Sequence, residues 1–296
     1  MTLPAIGALR ERWPEAQIEI LGYPHITELA CGRYYADATR SIDAKPLSGF
    51  FIPHAILDPD LKEYFGSFQL AISYLFDPDA VFADNVRRCG VKQLIEGSPR
   101  PAELPAAAHY CQPLEKLAIF VESPRPRVYP NAADRAFAEQ YLAGMSAGRI
   151  AAIHPGSGSE QKNWAPEKFA ALGRWLMTEW QAQLLVIQGE ADEEAVGRLM
   201  EELPGQPVKL VRGLKLVELA AVVERCALFV GNDSGITHLA AAVGVPTLAL
   251  FGPGSVAIWE PRGAKVRVVR FGDRDVVDAQ AAARELLKSL GTGHLP

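Results

Sequence analysis

Three short stretches of this sequence combine small residues with a cation or hydroxyls in the order an anion site needs. The first is His154-Pro155-Gly156-Ser157-Gly158-Ser159, followed by Lys162 and by Trp164-Ala165-Pro166-Glu167, which opens a helix. A Gly/Ser turn after a buried strand exposes backbone N–H groups that can cradle an anion, and Lys162 adds a mobile positive charge. Gly156, Ser157 and Lys162 are therefore candidate phosphate contacts. The second stretch is Gly231-Asn232-Asp233-Ser234-Gly235-Ile236-Thr237-His238. Asp233 and Ser234 stand where a helix N-cap belongs, and Gly235 keeps the approach to the first-turn N–H groups open for a pyrophosphate. The Ser234 and Thr237 hydroxyls and the His238 ring, one turn in, would add donors. Asp233 would repel a phosphate placed directly against it, so it is expected to orient the loop or meet a sugar hydroxyl. The third stretch is Phe251-Gly252-Pro253-Gly254-Ser255, where Gly252 lets a sugar or phosphate approach the backbone.

Gln188-Gly189-Glu190-Ala191-Asp192-Glu193 offers Glu190 and Glu193 to a ribose, because a carboxylate at a strand end can receive both ribose hydroxyls. A favourably charged helix start explains the same acids equally well. No GxxxxGK[ST] and no GxGxxG is present, which argues against a nucleotide hydrolase and a nicotinamide site. In the first half, Asp77-Pro78-Asp79 follows a strand and could bind acceptor hydroxyls or take up a proton, although it also reads as an ordinary turn. His25 and His109 carry weaker signals.

The formal net charge of −5 argues against a general nucleic-acid binder, and no nucleic-acid partner is expected. Cys31, Cys89, Cys111 and Cys226 show no CxxC and no His/Cys metal spacing, so no metal site is expected and the thiols fit a reducing compartment. No apolar run approaches the length of a membrane span; the longest, residues 239–251, is interrupted by Gly244 and Pro246. A cytoplasmic protein is expected, with room for peripheral membrane contact; the resemblance described below would place that contact at the inner membrane.

These residues need elements to hold them. In the second half, strands are expected at residues 149–154, 183–188, 208–211, 227–230 and 247–251. Helices are expected between them at 165–180, 192–202, 215–223 and 235–243, and strands such as LLVI and LALF are apolar on both faces. That alternation predicts a doubly wound parallel sheet of the α/β class. A strand at 266–269 and a helix at 277–290 would complete it. The first half reads as helices at 4–13, 26–30, 80–89, 110–120 and 132–143, with strands at 16–21, 68–75 and 91–95. Prolines 124, 126 and 130 and a breaker at 144–148 put the boundary between domains across 121–148, with domains of residues 1–145 and 146–296.

IHPGSGSEQKNW at 153–164 and FVGNDSGITHLAAAVGVPTLALFGP at 229–253 resemble the donor loops of the bacterial lipopolysaccharide heptosyltransferases, glycosyltransferase family 9. RERWP at 10–14 is similar to that family's first helix. The resemblance implies a GT-B fold, two Rossmann-like domains facing a cleft. It places an acceptor-side domain at 1–145 and an ADP-sugar donor domain at 146–296. It also implies inverting transfer of a heptose from ADP-heptose to the inner core of lipopolysaccharide, a lipid-anchored acceptor, with no obligatory metal. On this sequence, Lys162 would neutralise the donor phosphates, Asp233 would contact the donor end, Gly235, Thr237 and His238 would surround the pyrophosphate and sugar, and an acid near Glu190 and Glu193 would meet the ribose.

The family usually opens with a hydrophobic strand and an R-x-G-x-x-G-D loop leading into T-x-P-A, and that loop's aspartate is the expected base. This sequence begins at Met1-Thr2-Leu3-Pro4, after that point. The favoured expectation is that roughly 15 to 20 upstream residues, a strand and a loop, complete the fold and supply the base. The alternative is an impaired or non-catalytic nucleotide-sugar binding protein. Without the strand, a sheet would lose an inner member and leave apolar faces and backbone groups unpaired. A sugar-nucleotide epimerase is disfavoured by the lack of GxGxxG and of YxxxK.

Overall fold

The computed structural model describes residues 1–145, 149–252, 256–272 and 274–288. Residues 146–148 of the breaker expected at 144–148, positions 253–255 of the third glycine loop and residues 289–290 of the expected last helix lie outside the described residues. The chain divides into two compact units, Met1–Pro124 and Arg125–Pro296.

The first unit runs α1 (Leu3–Arg12), β1 (Glu19–Gly22), α2 (Pro24–Thr27), β2 (Ala38–Ser41), α3 (Pro59–Gly66), β3 (Leu70–Ser73), α4 (Val81–Arg88), β4 (Gln93–Glu96) and α5 (Ala106–His109). β1 pairs with β2 and β3 with β4, each pair parallel, as two separate two-stranded sheets. Every residue of β1 and β3 is only half-buried. The helix expected at 110–120 is instead α5 followed by a 3-10 turn at Gln112–Leu117. Pro113 has no N–H to give an α-helical ladder, and Ala118 ends the turn at φ 54°. β2 and α3 lie in a stretch for which the sequence suggested no element. Asp77, a candidate for acceptor binding, accepts the Ala83 N–H at 2.8 Å at the start of α4, which is the turn role also foreseen for it.

In the second unit the elements are α6 (Ala132–Tyr141), β5 (Ile150–His154), α7 (Pro166–Glu179), β6 (Gln183–Gln188), α8 (Glu193–Glu201), β7 (Val208–Arg212), α9 (Leu216–Glu224), β8 (Leu228–Asn232), α10 (Gly235–Val243), β9 (Thr247–Phe251), α11 (Val256–Trp259), β10 (Val266–Arg270) and α12 (Asp275–Lys288). Six strands pair in parallel in the order β10-β9-β8-β5-β6-β7. The four inner strands, β9, β8, β5 and β6, are buried on both faces because helices cover both. Ala151, Ile153, Leu184, Val186, Leu228, Val230, Leu248 and Leu250 share one core with Phe169, Leu172 and Leu176 of α7, Leu199 of α8 and Ala283 and Leu286 of α12. Alternate residues such as Ala152, Leu185, Phe229 and Ala249 are equally buried on the opposite face.

The division falls at Pro124/Arg125, inside the expected interval 121–148 but ahead of the 145/146 cut within it. α6 belongs with the second unit because it packs along α9. Arg135 donates to both carboxylate oxygens of Glu224 at 2.8 and 2.9 Å, and Val128 N–H donates to Ala242 O at 3.0 Å.

Ladder amides flanked on both sides open only with the whole unit, whereas those of two-stranded ribbons open locally. Hydrogen exchange is therefore expected to be slower in β5 and β8 than in β1 and β3 by orders of magnitude; equal protection would count against two separate ribbons.

Candidate functional site

β5 stands between β8 and β6, with His154 in register with Gly231. Successive strands are laid down towards β7 on one side of β5 and towards β10 on the other. The loops after β5 and β8 therefore diverge, and open α/β sheets bind ligands in such a crevice at the strands' carboxyl ends.

One buried side chain ties these two loops together. Asn232, at the end of β8, is fully buried. Its amide donates to Pro155 O at 2.7 Å and Asn163 Oδ1 at 3.4 Å, and its Oδ1 accepts the Trp164 N–H at 3.0 Å. The Trp164 indole N–H and the Lys168 ammonium then donate to the buried Asp275 at 2.8 and 2.7 Å. Burial pushes the Asp275 carboxyl up, but those two donors outweigh it and hold the group below the usual carboxylate range.

On this floor the structure brings together the two residues singled out for catalysis. Lys162 Nζ donates to Asp233 Oδ2 at 2.8 Å, joining the loop after β5 to the loop after β8. Ser234 caps α10 by accepting the Thr237 N–H at 3.3 Å, as its position suggested. Gly235, the first residue of that helix, is exposed, and a Cβ there would meet nothing within 4 Å. The expected hydroxyl donors are already engaged. Thr237 Oγ1 donates to Asn232 O at 2.5 Å, and Ser234 Oγ lies 3.2 Å from both Thr237 Oγ1 and His154 Nδ1. His238 is pushed down to about 4 by burial, so it meets a ligand as a neutral ring at neutral pH.

Other candidates take different places. Ser157 Oγ lies 2.7 Å from Ser159 O and from Asn163 Oδ1, which makes it a brace of its own loop. The space a Gly156 side chain would need is filled by the Asp192 carboxyl, 1.8 Å from an ideal Cβ. Gly252 packs against Phe271 at 2.9 Å and the Gln161 carbonyl at 3.2 Å from its ideal Cβ. Glu190 and Glu193 are exposed, and among the described residues neither is hydrogen-bonded to the other candidates. The acid between them turns inward: Asp192 Oδ2 accepts from His154 Nε2 at 2.8 Å and from Gly189 N–H at 2.9 Å. Burial raises the Asp192 carboxyl, and the His154 contacts and the Gly189 N–H pull it below the usual carboxylate range. A concavity of about 230 Å³ beside the loop is lined by Asn163, Trp164, Arg198 and two acids, Glu160 and Glu194, and neither of these is Glu190 or Glu193. Among the described residues no cluster of His, Cys, Asp and Glu could hold a metal ion, and no helix is long and apolar enough to cross a membrane.

The model of glycosyltransferase family 9 (heptosyltransferase) matches residues 99–285. The chain belongs to that family. It is similar to lipooligosaccharide heptosyltransferase 2 of Haemophilus influenzae, 33% identical over 129 residues that make up 42% of this chain and 37% of that protein. The chain thus spans about a third of the length of the curated relatives it matches. Its fold is similar to that of the Escherichia coli ADP-heptose lipopolysaccharide heptosyltransferase II, with a TM-score of 0.77 at 16% identity over 98% of this chain and 95% of that one. A family 9 glycosyl transferase of Veillonella parvula gives a TM-score of 0.80 at 19% identity over 97% and 93%. These likenesses show the expected GT-B class, two Rossmann-like α/β units with a parallel C-terminal sheet.

Asn232→Ala would leave Pro155 O and the Trp164 N–H buried without partners and is expected to cost about 2–4 kcal/mol in urea unfolding. A loss under about 1 kcal/mol would show that the loops hold without it. Asp192 and Asp275 both have depressed carboxyls, so the stability they contribute is present above the ordinary carboxylate range and is lost as pH falls through their depressed values. Asp275→Asn is expected to flatten the acid limb of a plot of unfolding midpoint against pH; an unchanged acid limb would remove Asp275 from that account.

Proposed function

We propose that this protein is an inverting glycosyltransferase that moves a heptose from ADP-heptose to the inner core of lipopolysaccharide. The observation that carries the reading is the convergence of Lys162 and the open N-terminus of α10 at the switch point between β5 and β8. A diphosphate there would meet the free first-turn N–H groups and the partial positive charge of a nine-residue helix. Lys162 would exchange its carboxylate partner for a phosphate oxygen. As the glycosidic bond breaks, negative charge grows on the leaving ADP, and these donors stabilise it without rearranging. Asp233 releases Lys162 and stays beside the sugar end of the donor. The acceptor would be a lipid-anchored oligosaccharide, reached from the cytoplasm at the inner-membrane surface.

Among these residues none is assigned as the base that takes the acceptor proton. The second reading is a nucleotide-sugar binding protein without turnover.

Two measurements separate the readings. ADP binding with transfer from ADP-heptose to a truncated-core acceptor supports the enzyme, and ADP binding without transfer supports the second reading. No ADP binding would overturn both. Lys162→Ala is expected to weaken ADP binding by about tenfold or more; unchanged binding would remove the phosphate assignment. Asp233→Ala is expected to lower turnover far more than thermal stability, and equal losses would count against a donor-end role.

A further inference from the structure

The buried array Asp192–His154–Ser234 has the order carboxylate, imidazole, hydroxyl, and its hydroxyl is the N-cap of α10. His154 and Asp192 are 2% and 7% exposed, so neither is placed for solvent. The space is built for them. Ideal Cβ atoms on Gly156 and Gly189 would come within 1.8 and 2.6 Å of the Asp192 carboxylate oxygens. Resting on the donor-site reading above, we propose that His154 and Asp192 are positioning residues that set the direction of the Ser234 hydroxyl, and that a diphosphate bound at α10 turns that hydroxyl towards itself by drawing a proton onto His154.

The argument is a count of protons. Asp192 accepts from Gly189 N–H and from His154 Nε2, so Nε2 carries hydrogen. A neutral His154 then has a bare Nδ1, 3.2 Å from Ser234 Oγ. Thr237 Oγ1 has given its only proton to Asn232 O. Ser234 already accepts the Thr237 N–H, and its single proton is held between Nδ1 and Thr237 Oγ1, each 3.2 Å away. A serine proton turned to a phosphate in that state would leave Nδ1 buried without a partner. When Nδ1 is also protonated, it donates to Ser234 Oγ, and the serine proton can turn outward to the ligand with the ring still satisfied. No bond is made or broken beyond the uptake of one proton from solvent.

The surrounding charges favour this on binding. Asp192 faces His154 from the turn before α8. Glu190 on that turn and Glu193, the first residue of α8, are exposed to water. Lys162 and Asp233 neutralise each other across the two loops. His238 of α10 stays neutral near neutral pH, because burial holds it at about 4. A diphosphate therefore adds negative charge beside an imidazole whose far side already holds a carboxylate, and binding and protonation reinforce each other reciprocally.

ADP-ribose is the probe, since its diphosphate diester does not titrate near neutral pH. Calorimetry in two buffers of different ionisation enthalpy is expected to show uptake of up to one proton, with affinity falling by up to about tenfold per pH unit as pH rises. His154→Gln, which can still donate to Asp192, is expected to abolish both the uptake and the pH slope. Imidazole nitrogen shifts in the wild-type protein give a readout that needs no variant: His154 should change from the Nε2–H tautomer to the imidazolium when ADP-ribose is added. Binding of ADP-ribose with no proton uptake, or with His154 unchanged in protonation, would overturn this proposal alone. Failure to bind ADP-ribose at all would overturn the donor-site reading with it.

Discussion

β5 has β6 on one side and β8 on the other, and the second unit is arranged around that double pairing. Its five residues are all buried, so the strand offers no edge and no wet face. Polar chemistry is confined to where the strand ends. The chain leaves β5 towards one half of the sheet and returns through β8 in the other half. Two loops therefore part at one point, and every polar side chain buried beside them has to find its partner inside that gap. Asn232, at the end of β8, does this for the backbone of the loop after β5, and His154 does it for the hydroxyl that caps α10.

The glycines of these loops follow from the same constraint. Gly156 looks in sequence like a residue that admits a ligand, yet its missing side chain makes room for the protein's own carboxylate. A buried carboxylate is tolerated only when its oxygens are engaged, and Asp192 meets that condition with an imidazole and a backbone N–H. Gly235 is the converse case. It faces open space at a helix start, and there the absence of a side chain does leave the N–H groups accessible.

Much of the second unit was legible because its signals are local. β6, β9 and α10 fall where the apolar runs and the Ser234 and Gly244 punctuation put them; Gly244 closes α10 at φ 86°. The pairing of Lys162 with Asp233 was legible only as two loops at neighbouring strand ends. What could not be read was direction. Glu190, Asp192 and Glu193 form one acidic run, and nothing in the run itself shows that the middle acid turns in while the outer two face water. The signals lay in the two glycines that make space for its carboxylate, Gly189 beside it and Gly156 far upstream, and sequence spacing alone does not join them. In the first unit β2 was missed because Ala-Thr-Arg-Ser has too little apolar pattern, and α3 was missed although Asp58, just ahead of Pro59, caps it by accepting the Leu61 N–H. α6 was assigned to the wrong side of the boundary because prolines and glycines mark breaks in the chain, whereas the boundary is decided by what the helix packs on.

The two kinds of contact at the crevice differ in how easily they are exchanged. The Asn232 contacts are buried, and breaking one leaves a desolvated backbone group unpaired, at a cost of about 1–3 kcal/mol. The Lys162–Asp233 pair has its lysine 41% exposed, and such pairs contribute about 1 kcal/mol or less. A phosphate, with more charge than one carboxylate, can replace Asp233 as the partner of Lys162 while the floor beneath stays fixed. On the proposed donor-site reading, that ordering also accounts for an aspartate beside the phosphate site. The Asp233 charge holds Lys162 at the crevice, and a phosphate that took the lysine would leave Asp233 beside the group the phosphate carries rather than against the phosphate itself.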